Sequence, residues 1–407
     1  FAQRLGAEYA IIAMPGVNHA ARRRALELAA QAGLKAMTVP SYEDIMSGKV
    51  TMSQLRDVEL DDLLGRDPVK LDDSGLEGWL AGKVIAITGA GGSIGSELCR
   101  QIARFAPAKL VLIESSEFAL FTILEEFSRR LPSQSVVPLI ADIKNSARMN
   151  DVFMRNRPEV VFHAAAYKHV PLMEAENAWE AVQNNVAGTL VCARASCAAS
   201  VEKFVLVSTD KAVNPTNVMG ATKRLAELVC LASGTDATKF VTVRFGNVLG
   251  STGSVIPTFR EQIARGGPLK VTHPDIERYF MTIPEAAQLV LQAGLMGSGS
   301  EIFVLDMGEP VRIVDLARDM IRLSGLTEND IRIEFSGLRP GEKLFEEPLS
   351  DSERASNTRH PKLRIARAAG ALDRERFAEL LVWLSGPPPR SVKMDLQHFV
   401  PEYQPSD

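Results

Sequence analysis

The chain places a carboxylic acid and an amine side by side, directly after a run of apolar residues. Asp210 and Lys211 follow the run Phe204–Ser208, whose unbroken apolar content predicts a buried strand, with only Thr209 between. A carboxyl that can give a proton and an amine that can take one suit general acid–base chemistry. The alternative is an ordinary ion pair at the surface. Because open α/β sheets bind ligands at the carboxyl ends of their strands, we favour a functional pair.

A second chemical signal is a glycine pattern between an apolar strand and a helix. Three glycines at three-residue spacing follow the run Val84–Thr88 and precede a helical pattern. Glycine allows a tight turn and lets the backbone approach a pyrophosphate, and the next helix offers free N–H groups to phosphates. The alternative is a tight turn with no ligand. The residues expected to hold the dinucleotide here are Gly89, Gly92, Ser93, Ile94 and Gly95.

Polar residues at the end of the next strand indicate which dinucleotide. Glu114 stands 19 positions after Gly95 and ends the second apolar run. An acid there accepts hydrogen bonds from the adenosine ribose and repels a 2′-phosphate, which favours NAD over NADP. Ser115 and Ser116, which follow Glu114, can weaken this preference for NAD over NADP.

The third and fourth strands end in residues that fit other parts of the same cofactor. Asp142 and Ile143 end the third strand, where an Asp side chain can meet the adenine amino group or can instead cap a helix. Ala164, Ala165 and Ala166 end the fourth strand, where small side chains leave room for the nicotinamide half.

The helix after the Asp-Lys pair departs from the usual pattern of reductases with this architecture. Those enzymes carry Tyr-x-x-x-Lys, in which the Tyr is the acid/base and the Lys binds the ribose and lowers the phenol pKa. This chain keeps the lysine as Lys223, but Met219 stands at the tyrosine position. A thioether transfers no protons, so simple alcohol dehydrogenation by the usual route is disfavoured.

The elements that must position these residues are apolar strands alternating with amphipathic helices. Continuous Val, Ile and Leu runs indicate strands buried on both faces, and hence a parallel, doubly wound (Rossmann) sheet. The predicted strands are Val84–Thr88, Leu110–Ile113, Val136–Ile140, Val160–Ala164, Phe204–Ser208, Val241–Phe245 and Ile302–Leu305.

We predict four regions along the chain. Residues 1–75 form a partial α/β unit with strands at Tyr9–Met14 and Leu34–Val39, and residues 76–245 form the dinucleotide-binding domain. Residues 246–350 form mainly a smaller substrate lobe, and 351–407 a C-terminal helix, Arg374–Leu384, and tail. The prolines at 387–389 end that helix, and the residues beyond are expected to be bound to the surface or mobile.

Composition narrows the class of protein. The 407 residues carry 46 Lys plus Arg against 50 Asp plus Glu, a formal charge of -4, which argues against nucleic-acid binding. The four cysteines form no Cys-x-x-Cys pair and the six histidines show no zinc pattern, so no metal site is predicted. No run of 18 apolar residues or secretory signal is present, so no membrane contact is expected of this chain. It starts without Met and in mid-pattern, which suggests part of a longer protein.

Six motifs together resemble the nucleotide-sugar 4,6-dehydratases, and this resemblance implies a Rossmann fold of the extended short-chain dehydrogenase type. Over residues 83–347 the chain is most similar to the large, membrane-anchored bacterial UDP-N-acetylglucosamine 4,6-dehydratases of polysaccharide and glycan synthesis (CapD-like), whose long members can carry Met in place of the Tyr. The first 75 residues resemble that family's N-terminal extension. The motifs are the glycine turn, Ala164–Glu174, Asn185–Gly188, Ser208–Lys211, Arg244–Ser251 and Arg339–Lys343.

The resemblance implies a reaction and a role for each residue. Bound NAD oxidises C4 of the sugar, water is eliminated across C5 and C6, and hydride returns to C6. Lys211 removes the C5 proton, which requires a pKa lowered by burial or a neighbouring cation, and Asp210 protonates the leaving C6 hydroxyl. Thr209 would bind the C4 oxygen in place of the missing phenol, and Lys223 the nicotinamide ribose. The residues expected near the UDP-sugar are Lys168, His169, Asn247, Ser254, Val255, Thr272, Arg278, Arg339 and Glu342.

The resemblance also implies a setting. Related enzymes form dimers or larger rings, so a homo-oligomer is expected, and membrane helices in a preceding segment would place this portion on the cytoplasmic face of the bacterial inner membrane. Two other functions stay open: a nucleotide-sugar 4-epimerase, against which Met219 and the Asp-Lys pair count, and a non-catalytic dinucleotide-binding protein.

Overall fold

The structure is a computed structural model that describes residues 69–347, 355–366 and 372–405. Of the first 68 residues it describes the segments 6–13, 21, 24–25, 28–29, 32–38 and 56–57. Among all these residues, no helix combines the length and the apolar character that crossing a bilayer requires.

A small sheet forms near the start of the chain. β1 (Tyr9–Ile12) pairs in parallel with β2 (Lys35–Thr38), and β3 (Arg56–Asp57) pairs antiparallel with β2. The two strands predicted in this region therefore form, although their predicted ends at Met14 and Val39 lie outside the described residues.

The main body is built from strands and helices that alternate along the chain. The strands are β4 (Val84–Thr88), β5 (Lys109–Glu114), β6 (Val136–Ile140), β7 (Val160–His163), β8 (Lys203–Val207), β9 (Lys239–Arg244), β10 (Asn247–Val248), β11 (Leu269–Val271), β12 (Glu277–Arg278), β13 (Phe280–Met281), β14 (Glu301–Leu305), β15 (Val311–Arg312), β16 (Ile333–Phe335), β17 (Ala355–Asn357) and β18 (Leu363–Ala366). The helices are α1 (Asp73–Leu80), α2 (Ser93–Ala103), α3 (Glu117–Arg130), α4 (Ser146–Asn156), α5 (Val170–Met173), α6 (Ala178–Val182), α7 (Gly188–Ala198), α8 (Val218–Ser233), α9 (Val255–Ala264), α10 (Ile283–Met296), α11 (Ile313–Leu323), α12 (Arg374–Ser385) and α13 (Val392–Phe399).

The large sheet has the order β17-β18-β14-β9-β8-β7-β4-β5-β6. The strands from β14 to β6 are parallel and are the seven that the sequence predicts, so the doubly wound fold is confirmed. Two short antiparallel strands, β18 and β17, extend one edge and were not predicted. Both contain charged or polar residues, which hides them from a search for apolar runs.

Alternating residues of the central strands bury themselves under helices on both faces. On β4, Ile85 and Ile87 pack with helices α2, α3 and α10, whereas Ala86 faces the cluster formed with α4, α7 and α8. Burial on both faces is why these strands read as continuous apolar runs. The parallel pairing of these strands places their carboxyl ends at one edge of the sheet.

The region predicted to hold the substrate, called the substrate lobe below, is assembled from three small strand pairs: β10 with β13, β11 with β16, and β12 with β15. Helices α9 and α11 cover them around a separate apolar core that includes Phe259, Leu269 and Ile321. Between these parts the chain returns to the main body, because α10 packs on the sheet and β14 joins it. The region between residues 246 and 350 thus contributes to both units.

The C-terminal residues are firmly packed. Helices α12 and α13 lie against α6 and α8, where the rings of Trp383 and Trp179 are 5.1 Å apart. Leu396, Phe399 and Tyr403 are buried against the body, so the expectation that residues beyond 389 are mobile is wrong for residues 390–405. Leu396 and Phe399 lie one turn apart on the face of α13 that packs against the body, and Tyr403 follows the helix.

Candidate active site

A cavity of about 1300 Å³ opens at the carboxyl edge of the parallel sheet and extends to the substrate lobe. Of the predicted site residues, Ser116 and Asp210 do not line it. Those that do are Gly89, Gly92, Ser93, Ile94, Gly95, Glu114, Ser115, Asp142, Ile143, Ala164, Ala165, Ala166, Lys168, His169, Thr209, Lys211, Met219, Lys223, Asn247, Ser254, Val255, Thr272, Arg278, Arg339 and Glu342. Residues predicted for two ligands thus share one cavity.

The glycine turn after β4 has the close packing that a dinucleotide cradle needs. Gly89 has a φ of 65°, and a Cβ on it would lie 2.8 Å from the Cα of Ala165. A Cβ on Gly95 would lie 2.0 Å from the carbonyl oxygen of Gly89. Gly92 precedes α2, and no described side chain caps that helix start, which leaves its N–H groups facing the cavity for a phosphate. These residues fit a bound dinucleotide.

Glu114 connects the end of β5 to this turn. One of its carboxylate oxygens accepts a hydrogen bond from the Gly91 N–H (3.0 Å), and the other accepts from the N–H groups of Ser115 (2.9 Å) and Ser116 (3.0 Å). The Ser116 hydroxyl accepts from the Ala119 N–H and caps α3, which explains why it does not face the cavity.

Asp142 lies on the cavity wall and is held by its own loop. Its carboxylate accepts from the Lys144 N–H (2.9 Å), and the Lys144 Nζ lies 3.4 Å away. Asn145 caps α4, so the alternative that Asp142 is a helix cap is wrong. Its contact with adenine stays a prediction.

The Asp210–Lys211 pair is buried. Lys211 Nζ donates to Asp210 Oδ1 (3.0 Å) and to Asn247 Oδ1 (3.1 Å). Asp210 is only 2% exposed, so the alternative of a surface ion pair is wrong. Lys211 reaches the cavity wall, whereas Asp210 lies behind it with its second oxygen, Oδ2, next to Gly246. That oxygen is buried and has no hydrogen-bond partner among the described residues.

The charge on Lys211 differs from the expectation. Burial lowers the pKa of its amine, but the negative charges of Asp210 and Glu346 outweigh burial, so the pKa is raised above its ordinary value. The predicted lowering is therefore wrong for this arrangement. Lys211 is an ammonium held by the Asp210 and Glu346 side chains, so it must give up a proton before its nitrogen can act as a base.

Thr209 orients this pair from the preceding position. Its hydroxyl donates to Asp210 Oδ1 (3.0 Å) and accepts from the Lys211 N–H (3.3 Å), which fixes the 3₁₀ turn over Asp210–Ala212. The side chain also lines the cavity, where a sugar oxygen can reach it.

Helix α8 places Met219 and Lys223 one turn apart on the cavity wall. Met219 is buried and lines the cavity, at the sequence position where the Tyr-x-x-x-Lys pattern has its tyrosine. Lys223 Nζ donates to the carbonyl of Val207 at the end of β8 (2.8 Å). Burial lowers the pKa of Lys223 to about 8.

The substrate-lobe wall combines anchored and available groups. The Arg278 guanidinium donates to the carbonyls of Glu277, Lys343 and Leu344, so it fastens the segment that follows Arg339 beside the cavity. Ser254 Oγ is buried at the start of α9 with no hydrogen-bond partner among the described residues, which suits it to a ligand.

The predicted pair of residues Arg339 and Glu342 lies in one turn. The Arg339 N–H donates to a carboxylate oxygen of Glu342 (3.2 Å), and both side chains face the cavity. On the opposite wall the ring of His169 packs against Gly253, where an added Cβ would lie 2.4 Å from the ring. Partial burial and the charge of Lys168 lower the pKa of His169.

Glu346 is a cavity residue that sequence reasoning missed. It is 8% exposed, and its Oε1 lies 3.7 Å from Lys211 Nζ and 3.8 Å from Arg278 Nε. Its Oε2 is buried without a hydrogen-bond partner in the described part of the chain, and burial raises the pKa of its carboxyl. Three residues after the Arg339–Lys343 motif, it carries no pattern of its own that a single sequence reveals.

The fold and cavity define a Rossmann protein of the extended short-chain dehydrogenase/reductase type. The chain belongs to the polysaccharide biosynthesis protein family, whose model matches residues 85–368. It is 52% identical over 346 residues to the capsular polysaccharide biosynthesis protein CapD of Staphylococcus aureus, covering 84% of this chain and 58% of that one. It is 49% identical over 368 residues to the probable polysaccharide biosynthesis protein EpsC of Bacillus subtilis, covering 90% and 61%. The chain thus spans about three fifths of the length of these two relatives.

More distant relatives divide between two activities. A UDP-N-acetylglucosamine 4,6-dehydratase (inverting) of Campylobacter jejuni is 33% identical over 67% of this chain and 79% of its own length. A UDP-glucose 4-epimerase of Rickettsia bellii has the same identity and coverage.

Solved structures share the architecture. Pen from Bacillus thuringiensis is 33% identical with a TM-score of 0.66, covering 74% of this chain and 98% of that one. A double mutant of DesIV, a dTDP-glucose 4,6-dehydratase from Streptomyces venezuelae solved with NAD and DAU bound, has a TM-score of 0.57 at 19% identity, covering 79% and 96%. The latter likeness concerns the fold alone.

Proposed function

We propose that this protein dehydrates a UDP-N-acetylhexosamine, with UDP-N-acetylglucosamine as our choice, to the 4-keto-6-deoxy sugar, for surface polysaccharide synthesis. The observation that carries the proposal is the buried Lys211–Asp210 pair, with Lys211 on the wall of a cavity that also holds the glycine turn. An elimination needs both a base and an acid, whereas an exchange of hydride alone needs neither at C5 or C6.

NAD is the cofactor that the cradle suits, and when bound it supplies the hydride chemistry at C4 and C6. Gly89, Gly92, Gly95 and the start of α2 would hold its pyrophosphate. Glu114 would take the adenosine ribose and Lys223 the nicotinamide ribose. NADP fits less well, because the Glu114 carboxylate repels a 2′-phosphate.

In the proposed reaction Lys211 and Asp210 exchange protons with the sugar. The Lys211 ammonium first passes its proton to Asp210, 3.0 Å away, which creates a neutral amine and a carboxylic acid in one step. Lys211 then takes the C5 proton of the 4-keto sugar. Asp210 turns its carboxyl from Gly246 towards the cavity and protonates the C6 hydroxyl, which leaves as water. The elimination leaves the pair in its starting charge state, and Thr209 holds the C4 oxygen meanwhile. When hydride returns to C6, C5 takes up a proton from solvent, which balances the proton that the C4 hydroxyl releases on oxidation.

The nucleotide half of the substrate would lie against the lobe. Arg339 can hold a diphosphate with two parallel hydrogen bonds, and Glu342 can accept from a ribose hydroxyl. Ser254, Val255 and the start of α9 offer a further phosphate contact. We assign Thr272, Arg278 and Asn247 to the wall around the nucleotide, and Lys168 and His169 to the sugar side.

The product identifies the activity. Incubation with UDP-N-acetylglucosamine and NAD in D₂O is expected to give a product lighter by one water and deuterated at C5. Lys211→Ala should abolish both changes, whereas Lys70→Ala, at an exposed lysine outside the cavity, should not. Unchanged C5 deuteration in Lys211→Ala contradicts the base assignment. A product of unchanged mass indicates a 4-epimerase, and NAD binding without any product indicates a non-catalytic protein.

The setting stays part of the proposal. We place the protein on the cytoplasmic side of the inner membrane, anchored through a segment outside this chain, and as a homo-oligomer. The greater length of CapD and EpsC supports the existence of such a segment. Sedimentation of the full-length protein with membranes, and light scattering of this chain, test the two statements separately.

A further inference from the structure

We propose that Glu346 is a positioning residue for Lys211: its carboxylate holds the amine in place and sets how tightly that amine keeps its proton. The inference rests on the proposed function, in which Lys211 is the base. It adds a residue from the substrate lobe to a pair that lies on the dinucleotide-binding sheet.

Lys211 is held from three separate parts of the chain. Asp210 contacts its Nζ from the same 3₁₀ turn, the Asn247 amide from β10, and Glu346 from the segment after the Arg339–Lys343 motif. The Lys211 side chain is 16% exposed and that of Glu346 is 4% exposed, so water screens their interaction only weakly.

The orphaned oxygen of Glu346 indicates that its charge is kept for a purpose other than a hydrogen bond. Its Oε2 is buried without a partner among the described residues. An apolar side chain of similar size would avoid this cost, which is on the order of 1–3 kcal/mol. A carboxylate here gains chiefly from the two cations that face it, Lys211 and Arg278.

Charged groups from several elements face Lys211 and Glu346. Lys211 is faced by Asp210, Glu346 and Arg278, and Glu346 by Lys211, Asp210, Arg278 and Lys343. Asp210 and Glu346 raise the proton affinity of Lys211, and Arg278 lowers it. Removal of the Glu346 charge alone must therefore make Lys211 lose its proton at lower pH.

The position of Glu346 depends on the lobe segment that carries the predicted nucleotide-binding residues. Arg278 binds the carbonyls of Lys343 and Leu344, and Lys343 Nζ donates to the Val213 carbonyl (3.1 Å), which ties the segment to the loop after Lys211. Glu346 thereby links the nucleotide-holding segment to the base.

The test measures the Lys211 pKa directly, without substrate. Competitive labelling with acetic anhydride across pH 7–12, read by peptide mass spectrometry, gives the value for the intact protein. In Glu346→Gln we expect it to fall by about one pH unit or more. In Glu347→Gln, an exposed neighbour whose carboxylate is 4.0 Å from Lys343 Nζ, we expect no change.

Kinetics supply the second arm. The rise of C5 deuteration with pH should move to lower pH in Glu346→Gln by the same amount, with the KM for the UDP-sugar changed less than twofold. If the Lys211 pKa in Glu346→Gln lies within about 0.3 units of the wild-type value, a difference of about 0.4 kcal/mol, the inference is overturned. If Glu346→Gln does not fold, Glu346→Asp, which withdraws the charge by one methylene, should give a smaller fall, and no fall there also overturns it. Labelling needs no turnover, so the Lys211 pKa can be measured even if the protein does not dehydrate the UDP-sugar. Failure of the proposed function and failure of this inference therefore give different results.

Discussion

Lys223 Nζ donates a hydrogen bond to the carbonyl of Val207 across 2.8 Å, which joins helix α8 to the end of strand β8 at the cavity wall. The ammonium is buried, with only this backbone carbonyl as its described hydrogen-bond acceptor, and burial lowers its pKa from 10.5 to about 8. Below pH 8 the folded protein therefore holds a poorly solvated charge, which costs stability until a ligand solvates it.

This cost predicts a pH dependence of stability. Between pH 8 and 10.5 the unfolded chain keeps the Lys223 proton while the folded chain has lost it, so stability rises with pH in that window. From pH 7 to pH 9.5, the free energy of unfolding of the wild type should rise by about 2 kcal/mol relative to that of Lys223→Met. Urea denaturation at several pH values measures the difference. A constant difference would mean that folding does not lower the pKa of Lys223.

Gly95 allows a test of the dinucleotide cradle. In Gly95→Ala the new Cβ would meet the Gly89 carbonyl at 2.0 Å, so the turn must open. We expect NAD affinity to fall at least about tenfold, or by 1.4 kcal/mol or more, as measured by calorimetry. Gly78→Ala is the matched control: its Cβ meets open space in helix α1, so NAD binding should be unchanged and stability equal or higher. Equal NAD affinity in both variants would contradict the cradle.

Glu114 should set the preference for NAD over NADP. Its carboxylate accepts a hydrogen bond from the Gly91 N–H and faces the cavity, where it would repel a 2′-phosphate. The wild type should therefore bind NAD at least about tenfold more tightly than NADP, a difference of about 1.4 kcal/mol. Glu114→Gln keeps an acceptor but removes the charge, and the ratio should fall towards one. Glu117→Gln, at an exposed position in the first turn of α3, should leave the ratio unchanged. A wild type that prefers NADP would refute the role of Glu114.

The parallel sheet could be predicted from sequence because its strands are buried on both faces. The seven runs from Val84 to Leu305 contain enough consecutive Val, Ile and Leu to be recognised as strands without knowledge of the strands they pair with. β18 could not be found in that way, because Arg364 interrupts it and its pairing with β14 is a contact between distant parts of the chain. The same holds for α13, whose burial depends on α6 and α8.

The candidate site divides along the same line. Residues at strand ends, such as Glu114 and Asp142, could be placed because the strand fixes where its last side chain lies. Glu346 could not, because its contact with Lys211 joins positions 135 residues apart through a loop without regular structure. The raised pKa of Lys211 was missed because it depends on burial, on the neighbouring Asp210 turning its carboxylate to the amine, and on the distant Glu346.

The packing of α13 can be measured with two substitutions on one helix. Leu396 is wholly buried against α12 and α8, whereas Met394, two residues earlier, is 72% exposed. Leu396→Ala removes buried methyl and methylene groups and leaves a cavity, so we expect it to lower the free energy of unfolding by about 2–5 kcal/mol. Met394→Ala should change it by less than about 0.5 kcal/mol, because a surface side chain makes few contacts. Chemical denaturation of both variants checks the pair. Equal, small effects would mean that the residues beyond the proline run at 387–389 are mobile after all.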